Sequence, residues 1–381
     1  MPGVRAVRVG EMLVNYKTVG QSDSRTVKSI QLPLLQSDGP TVRLSVLDSR
    51  LRGTKFVQLT PRSILNSPQQ TGVDFWSLNP YIGCEFGCTY CYARYAHRYA
   101  VERAHDAGKL DDAEFRDFRG PHGWEAFEHR IFVKEQVHGA LEADLRRYFR
   151  SIADGVAAPI VIGTATDPYQ PAERRFQLTR RILERLARCD GLNVGIITKS
   201  PLVARDVDLL RRIQERGDLE VYVSLISVDA ALVRKVEVRS PMPATRLRAI
   251  KRLSEAGVHV GLIVAPVLPG ISDDIPHLEA LFEAARCAGA KFVHAGPLRL
   301  YSAVRERFLP VVDEQFPHLK ERYRRAYRRH SNAPPEYARA LAARIKRLQS
   351  RFGFPVNDGM VDRYERRRPV AQPTLPLPPS V

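Results

Sequence analysis

Three of the chain's five cysteines, Cys84, Cys88 and Cys91, fall within eight residues at a C-x3-C-x2-C spacing. They are too close together for all to pair as disulfides, and soft thiolates spaced this way on a Gly-containing loop wrap three corners of an iron–sulfur cubane. No local residue offers a fourth thiolate. One iron is therefore left open to take the amino and carboxylate groups of an amino-acid-like ligand, the arrangement that adenosyl-radical chemistry requires. Gly83 and Gly87 are expected to let the backbone approach the inorganic core, and Phe86, Tyr90 and Tyr92 to keep water from it. A structural zinc ion with His97 as fourth ligand is the alternative, and the three-Cys spacing suits it less well. Cys189 and Cys287 fall near predicted helix C-termini and read as small buried residues.

The elements that must position this loop are legible as an alternation. From Phe75 onward, short apolar strands at 77–81, 159–163, 193–198, 220–226, 258–264 and 291–295 are followed by amphipathic helices, the pattern of parallel βα units. In 274–288, Asp274 suits the N-cap, Ile275, Leu278, Leu281 and Phe282 share a face, and Gly289 suits the C-terminal cap. In 244–256, Leu247, Ile250 and Leu253 form the apolar stripe and Gly257 ends it. Six units predict an α/β chain folded as a partial (β/α)6 barrel. The run 131–134 with the helix-like 136–149 makes one unit too many and reads as an insertion after the first helix. Residues 1–70 read as an N-terminal extension, 71–300 as the barrel, 301–368 as a basic helical C-terminal region, and 369–381 as a Pro-rich disordered tail.

The run Asn79-Pro-Tyr-Ile-Gly-Cys84-Glu-Phe-Gly-Cys88-Thr-Tyr-Cys91-Tyr-Ala-Arg94 resembles the radical S-adenosylmethionine (radical SAM) superfamily. Its wording is similar to the spore photoproduct lyase-related branch, labelled DNA repair photolyase-like, over about 60–300. The resemblance implies a cluster loop after the first strand of the barrel, with Cys84, Cys88 and Cys91 as ligands of a [4Fe–4S] cluster and S-adenosylmethionine as cofactor. It also implies a lyase-like reaction. One electron from an external donor of flavodoxin or ferredoxin type cleaves the cofactor to methionine and a 5′-deoxyadenosyl radical, which abstracts hydrogen from the substrate.

Catalytic groups of such barrels collect at the C-terminal ends of strands. In the resemblance Thr166 and Asp167 match positions that bind the cofactor's amino group, Lys199 one that meets its carboxylate or ribose, and Ser224 one near the ribose. The plain alternatives are a turn with a helix cap at 166–167 and a solvated lysine at 199. Arg239 would neutralise a carboxylate or phosphate, and Val264-Ala-Pro266-Val-Leu-Pro269-Gly270 would shape the adenine wall; otherwise both loops are simply stiffened by proline. The chain departs from the branch in one respect. Spore photoproduct lyases carry a further Cys beyond the cluster as hydrogen-atom donor, whereas here no Cys lies between Cys91 and Cys189. Thymine-dimer repair is therefore not carried over, and a tyrosine or the regenerated cofactor would return the hydrogen.

Bulk properties bound the rest. The chain has 381 residues, 44% apolar and 27% charged, with no apolar run near the roughly 18 residues of a membrane span. No signal pattern opens it, so a cytoplasmic location is expected. The formal charge of +17 favours a polyanionic partner, although arginine-rich composition alone produces the same sum. Nucleic acid is the expected substrate class, supported by Arg/Tyr-rich stretches such as 323–329. Modification of a protein or small molecule, and a non-catalytic iron–sulfur sensor, are the alternatives.

Overall fold

The computed structural model describes residues 46–49, 53–120, 123, 125–152 and 158–356. The tail at 369–381 and most of the N-terminal extension lie outside the described residues. Strands are numbered in chain order: β1 Val46–Ser49, β2 Lys55–Leu59, β3 Leu65–Asn66, β4 Trp76–Leu78, β5 Tyr81–Ile82, β6 Arg130–Lys134, β7 Ile160–Ile162, β8 Asn193–Thr198, β9 Asp218–Ser224, β10 Val260–Val267 and β11 Val293–Pro297.

Six of them, in the order β11-β10-β9-β8-β7-β4, form a parallel sheet, with β3 added antiparallel on the β4 edge. This is the partial (β/α)6 barrel. Alternation along each strand sorts the side chains. On β9, Val221 and Val223 join the core shared with the outer helices, while Tyr222 packs with Ile263 and Phe292 in a separate inner cluster. Ser224 keeps the inward parity of Tyr222, which carries it to the mouth of the barrel.

The helices begin and end where local chemistry allows. Asp274 accepts the His277 N–H at 2.8 Å to start Ile275–Cys287, and Gly257 and Gly289 adopt left-handed φ just past the ends of their helices.

Two expectations are revised. The predicted strand 77–81 is broken: β4 stays in the barrel, while β5 pairs antiparallel with β6 in a second sheet of order β1-β2-β6-β5. Pro80 lacks an N–H and cannot continue a ladder. Asn79 beside it is tied down, its Nδ2 donating to Ser77 and Thr164 Oγ1 and its Oδ1 accepting from Ala165 N. Of the supposed insertion, only the strand lies off the barrel. The helix Val137–Arg150 packs its apolar face into the main core against Trp76, Leu78 and Ile160.

Residues 301–356 are largely helical and built into the same body. Leu341, Ile345 and Leu348 of helix Pro335–Arg351 join the main core, and Gln349 donates to Val293 O on β11. Val304, Phe308 and Val312 of helix Ser302–Gln315 close over the Cys-containing loop with Leu298 and Leu300. No helix of the described residues is long and apolar enough to cross a membrane.

Candidate active site

The C-terminal ends of the barrel strands surround one cavity. Cys84, Cys88 and Cys91 line it from the loop after β5, Thr166 and Asp167 from the loop after β7, Lys199 from the end of β8, and Ser224 from the end of β9. The three cysteines and the four residues matched to cofactor positions therefore meet in one place. Phe86, Tyr90 and Tyr92 stand among the cysteines, and Ala265, Pro266, Arg299 and Tyr301 face them from the β10 and β11 side.

The loop is held from both sides. From the β7 side, Thr166 Oγ1 donates to Gly83 O at 2.6 Å, and Gln170 spans the turn by donating to the same carbonyl while accepting Glu85 N at 3.0 Å. Glu85 returns the contact by accepting Ala172 N at 2.7 Å. From the β9 side, segment 236–239 runs alongside it: Thr89 N donates to Val236 O, Cys88 pairs antiparallel with Glu237, and Arg239 N donates to Phe86 O. Gln170 and Glu85 carried no signal in the sequence, because a polar residue in a turn looks solvated until its partners are known.

Arg239 does not face the cavity as an anion receptor. Its guanidinium donates to Glu85 O and to Glu128, a carboxylate that is 1% exposed and also receives Arg94 Nη2 at 2.8 Å and Arg307 Nε at 3.4 Å. Arg94 donates in turn to Cys88 O at 2.7 Å. Burial pushes the Glu128 carboxyl up, and Arg94 and Arg239 overcome it so that the net shift is down. The glycines serve this packing. A Cβ on Gly87 would lie 2.6 Å from Arg239 Nη2 and 2.8 Å from Glu128 Oε2, and one on Gly83 would lie 2.9 Å from Ile131 and 3.0 Å from Phe127 O. Both have left-handed φ. The space a side chain would take at each is filled by protein atoms.

On the cavity side, Tyr90 OH donates to Glu237, which is fully buried and ion-paired with the equally buried Arg246. The Lys199 ammonium lies 5.8 Å from the centre of the Tyr90 ring. Burial raises the Cys84 thiol well above its ordinary value and pushes Cys88 up to about 12, with Lys199 opposing the latter. Burial acts to lower Lys199, but Cys88 and Glu237 outweigh it and hold the ammonium charged. Asp167 is fully engaged: Oδ1 accepts Thr198 Oγ1 and Tyr169 N, and Oδ2 accepts Lys199 N at 2.7 Å. Burial still raises its carboxyl.

His97 is no partner for the cysteines. Its Nε2 lies 2.7 Å from Arg130 O, its ring packs between Phe127 and Phe132, and burial lowers its pKa to about 4. Among the described residues no three His, Cys, Asp or Glu side chains converge as a single metal ion would need. Three cysteine thiols on one loop lining one cavity are the donor set that three corners of an iron–sulfur cubane take. Cys189 is buried as expected. Cys287 is exposed at the end of its helix, with Sγ 3.3 Å from Glu283 Oε1.

A family model described as the radical SAM superfamily matches residues 78–281. An uncharacterized protein of Mycobacterium tuberculosis is 33% identical over 323 residues, covering 84% of this chain and 87% of that protein. An uncharacterized protein of Methanocaldococcus jannaschii is 26% identical over 219 residues, covering 58% and 70%. Among solved structures, spore photoproduct lyase complexed with dinucleoside spore photoproduct is similar in fold, with a TM-score of 0.55 at 16% identity, covering 78% of this chain and 79% of that one. A variant of the same lyase with bound AdoMet gives a TM-score of 0.51 at 16% identity, covering 73% and 74%.

Proposed function

The chain belongs to the radical SAM superfamily, whose enzymes use a [4Fe–4S] cluster and S-adenosylmethionine, and from that premise we propose that Cys84, Cys88 and Cys91 hold the cluster and that the cavity they line takes the cofactor and a nucleic-acid substrate. The observation that carries the reading is that three thiols and the Lys199 ammonium face one cavity without a fourth thiolate beside them. When bound, cluster and cofactor together supply hydrogen-atom abstraction, started by one electron from an external donor.

The chain's own groups prepare that chemistry. Thiolates, not thiols, bind iron, so the raised Cys84 and Cys88 must each give up a proton on ligation, and the Lys199 charge favours that loss at Cys88. Lys199 also presents a cation to the carboxylate of an amino-acid-like ligand, and Asp167 fixes the backbone from which it projects. Thr166 and Asp167 spend their side chains on Gly83 O, Thr198 and Lys199 N, so we assign them to shaping the cofactor's seat. Ser224 stands at the ribose end. Phe86, Tyr90 and Tyr92 shield the reacting centre from water, and Tyr92 OH is anchored on Thr164 O. The need for free thiols favours a reducing compartment, in keeping with the cytoplasmic location expected from the sequence.

For the substrate, support comes from the cavity's mouth. Leu300 N donates to Ser331 O and Arg299 bridges Asn332, so the exposed Arg328, Arg329 and His330 lie in chain next to the segment that frames the cavity. Tyr323 and Tyr327 of the same Arg/Tyr-rich stretch are buried, with their hydroxyls on Pro269 O and Leu298 O, and cannot meet a nucleic acid. The arginines contribute phosphate contacts only.

The deciding experiment is anaerobic reconstitution, then reduction by dithionite with S-adenosylmethionine, measuring 5′-deoxyadenosine beside iron and sulfide. A complete cluster without 5′-deoxyadenosine would overturn the reading. Binding to single- or double-stranded DNA and RNA that weakens steeply with salt is expected for the substrate class; salt-insensitive or absent binding would move it to a protein or small molecule.

A further inference from the structure

We infer that the surface formed by Arg234, Lys235 and Val238 is where an acidic one-electron carrier protein docks to reduce the cluster, an inference that rests on the cluster assignment above. Segment 236–239 is the backbone laid directly against the Cys loop, through Thr89 N to Val236 O at 2.9 Å, the Cys88–Glu237 pairing, and Arg239 N to Phe86 O at 3.0 Å. One residue past Glu237 the chain turns an apolar side chain outward, and Val238 is 38% exposed. A single run of backbone thus separates this surface from that of Cys88. Electron transfer falls steeply with distance, so a carrier seated here has a short, hydrogen-bonded route inward.

The charged side chains exposed next to Val238 in the chain are basic. Arg234 and Lys235 are exposed at the end of helix Ala230–Val236, and Arg239 is partly exposed beyond it. Arg234 Nη1 donates to Val238 O, and the Lys235 ammonium lies 5.5 Å from the centre of the Phe316 ring. Along the chain from 234 to 248 the single carboxylate is Glu237, which is fully buried and neutralised by Arg246. An exposed apolar side chain flanked by Arg234 and Lys235 suits a brief, electrostatically steered encounter with an acidic partner and disfavours a basic one. The step moves one electron from the reduced carrier to the oxidised cluster and makes or breaks no covalent bond.

The test uses the reconstituted full chain and reduced flavodoxin as probe, following cluster bleaching by stopped flow at low and high ionic strength, with dithionite in parallel. The double variant Lys235→Glu/Val238→Asp is expected to slow reduction by flavodoxin about tenfold and to flatten its salt dependence, while dithionite still reduces it at the wild-type rate. Arg211→Glu, a charge reversal on the exposed face of helix Val207–Arg216, should behave as wild type. Wild-type rates in the double variant, or equal slowing by Arg211→Glu, would overturn the inference. Should the double variant lose its iron, carbodiimide cross-linking of the wild type to flavodoxin decides: a link at Lys235 supports the site, and links confined to other lysines overturn it. A wild-type chain that assembles no cluster sinks the cluster assignment itself, an outcome distinct from a cluster that forms but accepts electrons elsewhere.

Discussion

The guanidinium of Arg239 and the carboxylate of Glu128 meet behind Gly87, at the one point of the Cys loop where a side chain would strike both. The loop that carries the thiols is thus braced by a buried carboxylate and a partly exposed guanidinium on the side to which a Gly87 Cβ would point.

Gly87→Ala should therefore cost more than backbone strain. A left-handed φ costs a residue with a Cβ about 1–2 kcal/mol, and at Gly191, where φ is also left-handed but nothing lies within 4 Å of an added Cβ, that cost should be all that appears. Urea unfolding should show Gly87→Ala destabilised beyond Gly191→Ala, with cluster content reduced in the former alone. Equal losses would show that the Arg239–Glu128 contact yields freely.

Removing any one of the three proposed ligands, Cys84, Cys88 or Cys91, should abolish both cluster retention and 5′-deoxyadenosine formation. Cys88→Ala is the sharpest case, since its Sγ is buried and its carbonyl is held by Arg94. Cys189→Ala and Cys287→Ala should keep full iron content. Retained turnover in Cys88→Ala would remove the assignment.

The Glu237–Arg246 pair has no solvent to fall back on, both side chains being fully buried. Arg246→Met leaves an uncompensated carboxylate and is expected to cost about 3–5 kcal/mol. Arg246→Met/Glu237→Gln should recover much of that. A double variant as unstable as the single would mean that shape, and not charge, is what the pair supplies.

Two groups give the metal-free protein opposite pH limits. His97, lowered to about 4, binds its proton more weakly folded than unfolded, so its contribution is complete above about 6.5 and is lost as pH falls toward 4. Cys88, raised to about 12, holds its proton more tightly folded, so its contribution is complete below about 8.5 and is lost as pH rises toward 12. Denaturant titrations of the apo chain should fall on both limbs. The cluster-loaded chain should lose the alkaline limb, because ligated sulfurs have no proton to release. An unchanged alkaline limb would argue against Cys88 as a ligand.

Much of the barrel was legible because its signals are local. Alternation, caps and terminal glycines placed 193–198 and 274–288 almost as observed, and the cysteine spacing drew the eye to the right loop. What the sequence hid is non-local. Nothing in 55–59 announces that it pairs in parallel with 130–134, and nothing in Glu128, Gln170 or Arg246 distinguishes them from solvated surface residues. Arg239 was read as facing a ligand because charge in a loop near a site suggests one, and only its partners on the far side of Gly87 reveal its work. Tyr323 and Tyr327 misled for the converse reason: flanking arginines made a buried aromatic pair look like a surface one.

The apolar shell around Cys84 and Cys88 is completed by Val304, Phe308 and Val312, which lie far downstream in the chain. During synthesis the thiols must emerge from the ribosome long before the helix that covers them, and domains fold as their segments appear. A nascent chain stalled near the end of the barrel would accordingly present three open cysteines to whatever metal or oxidant arrived first.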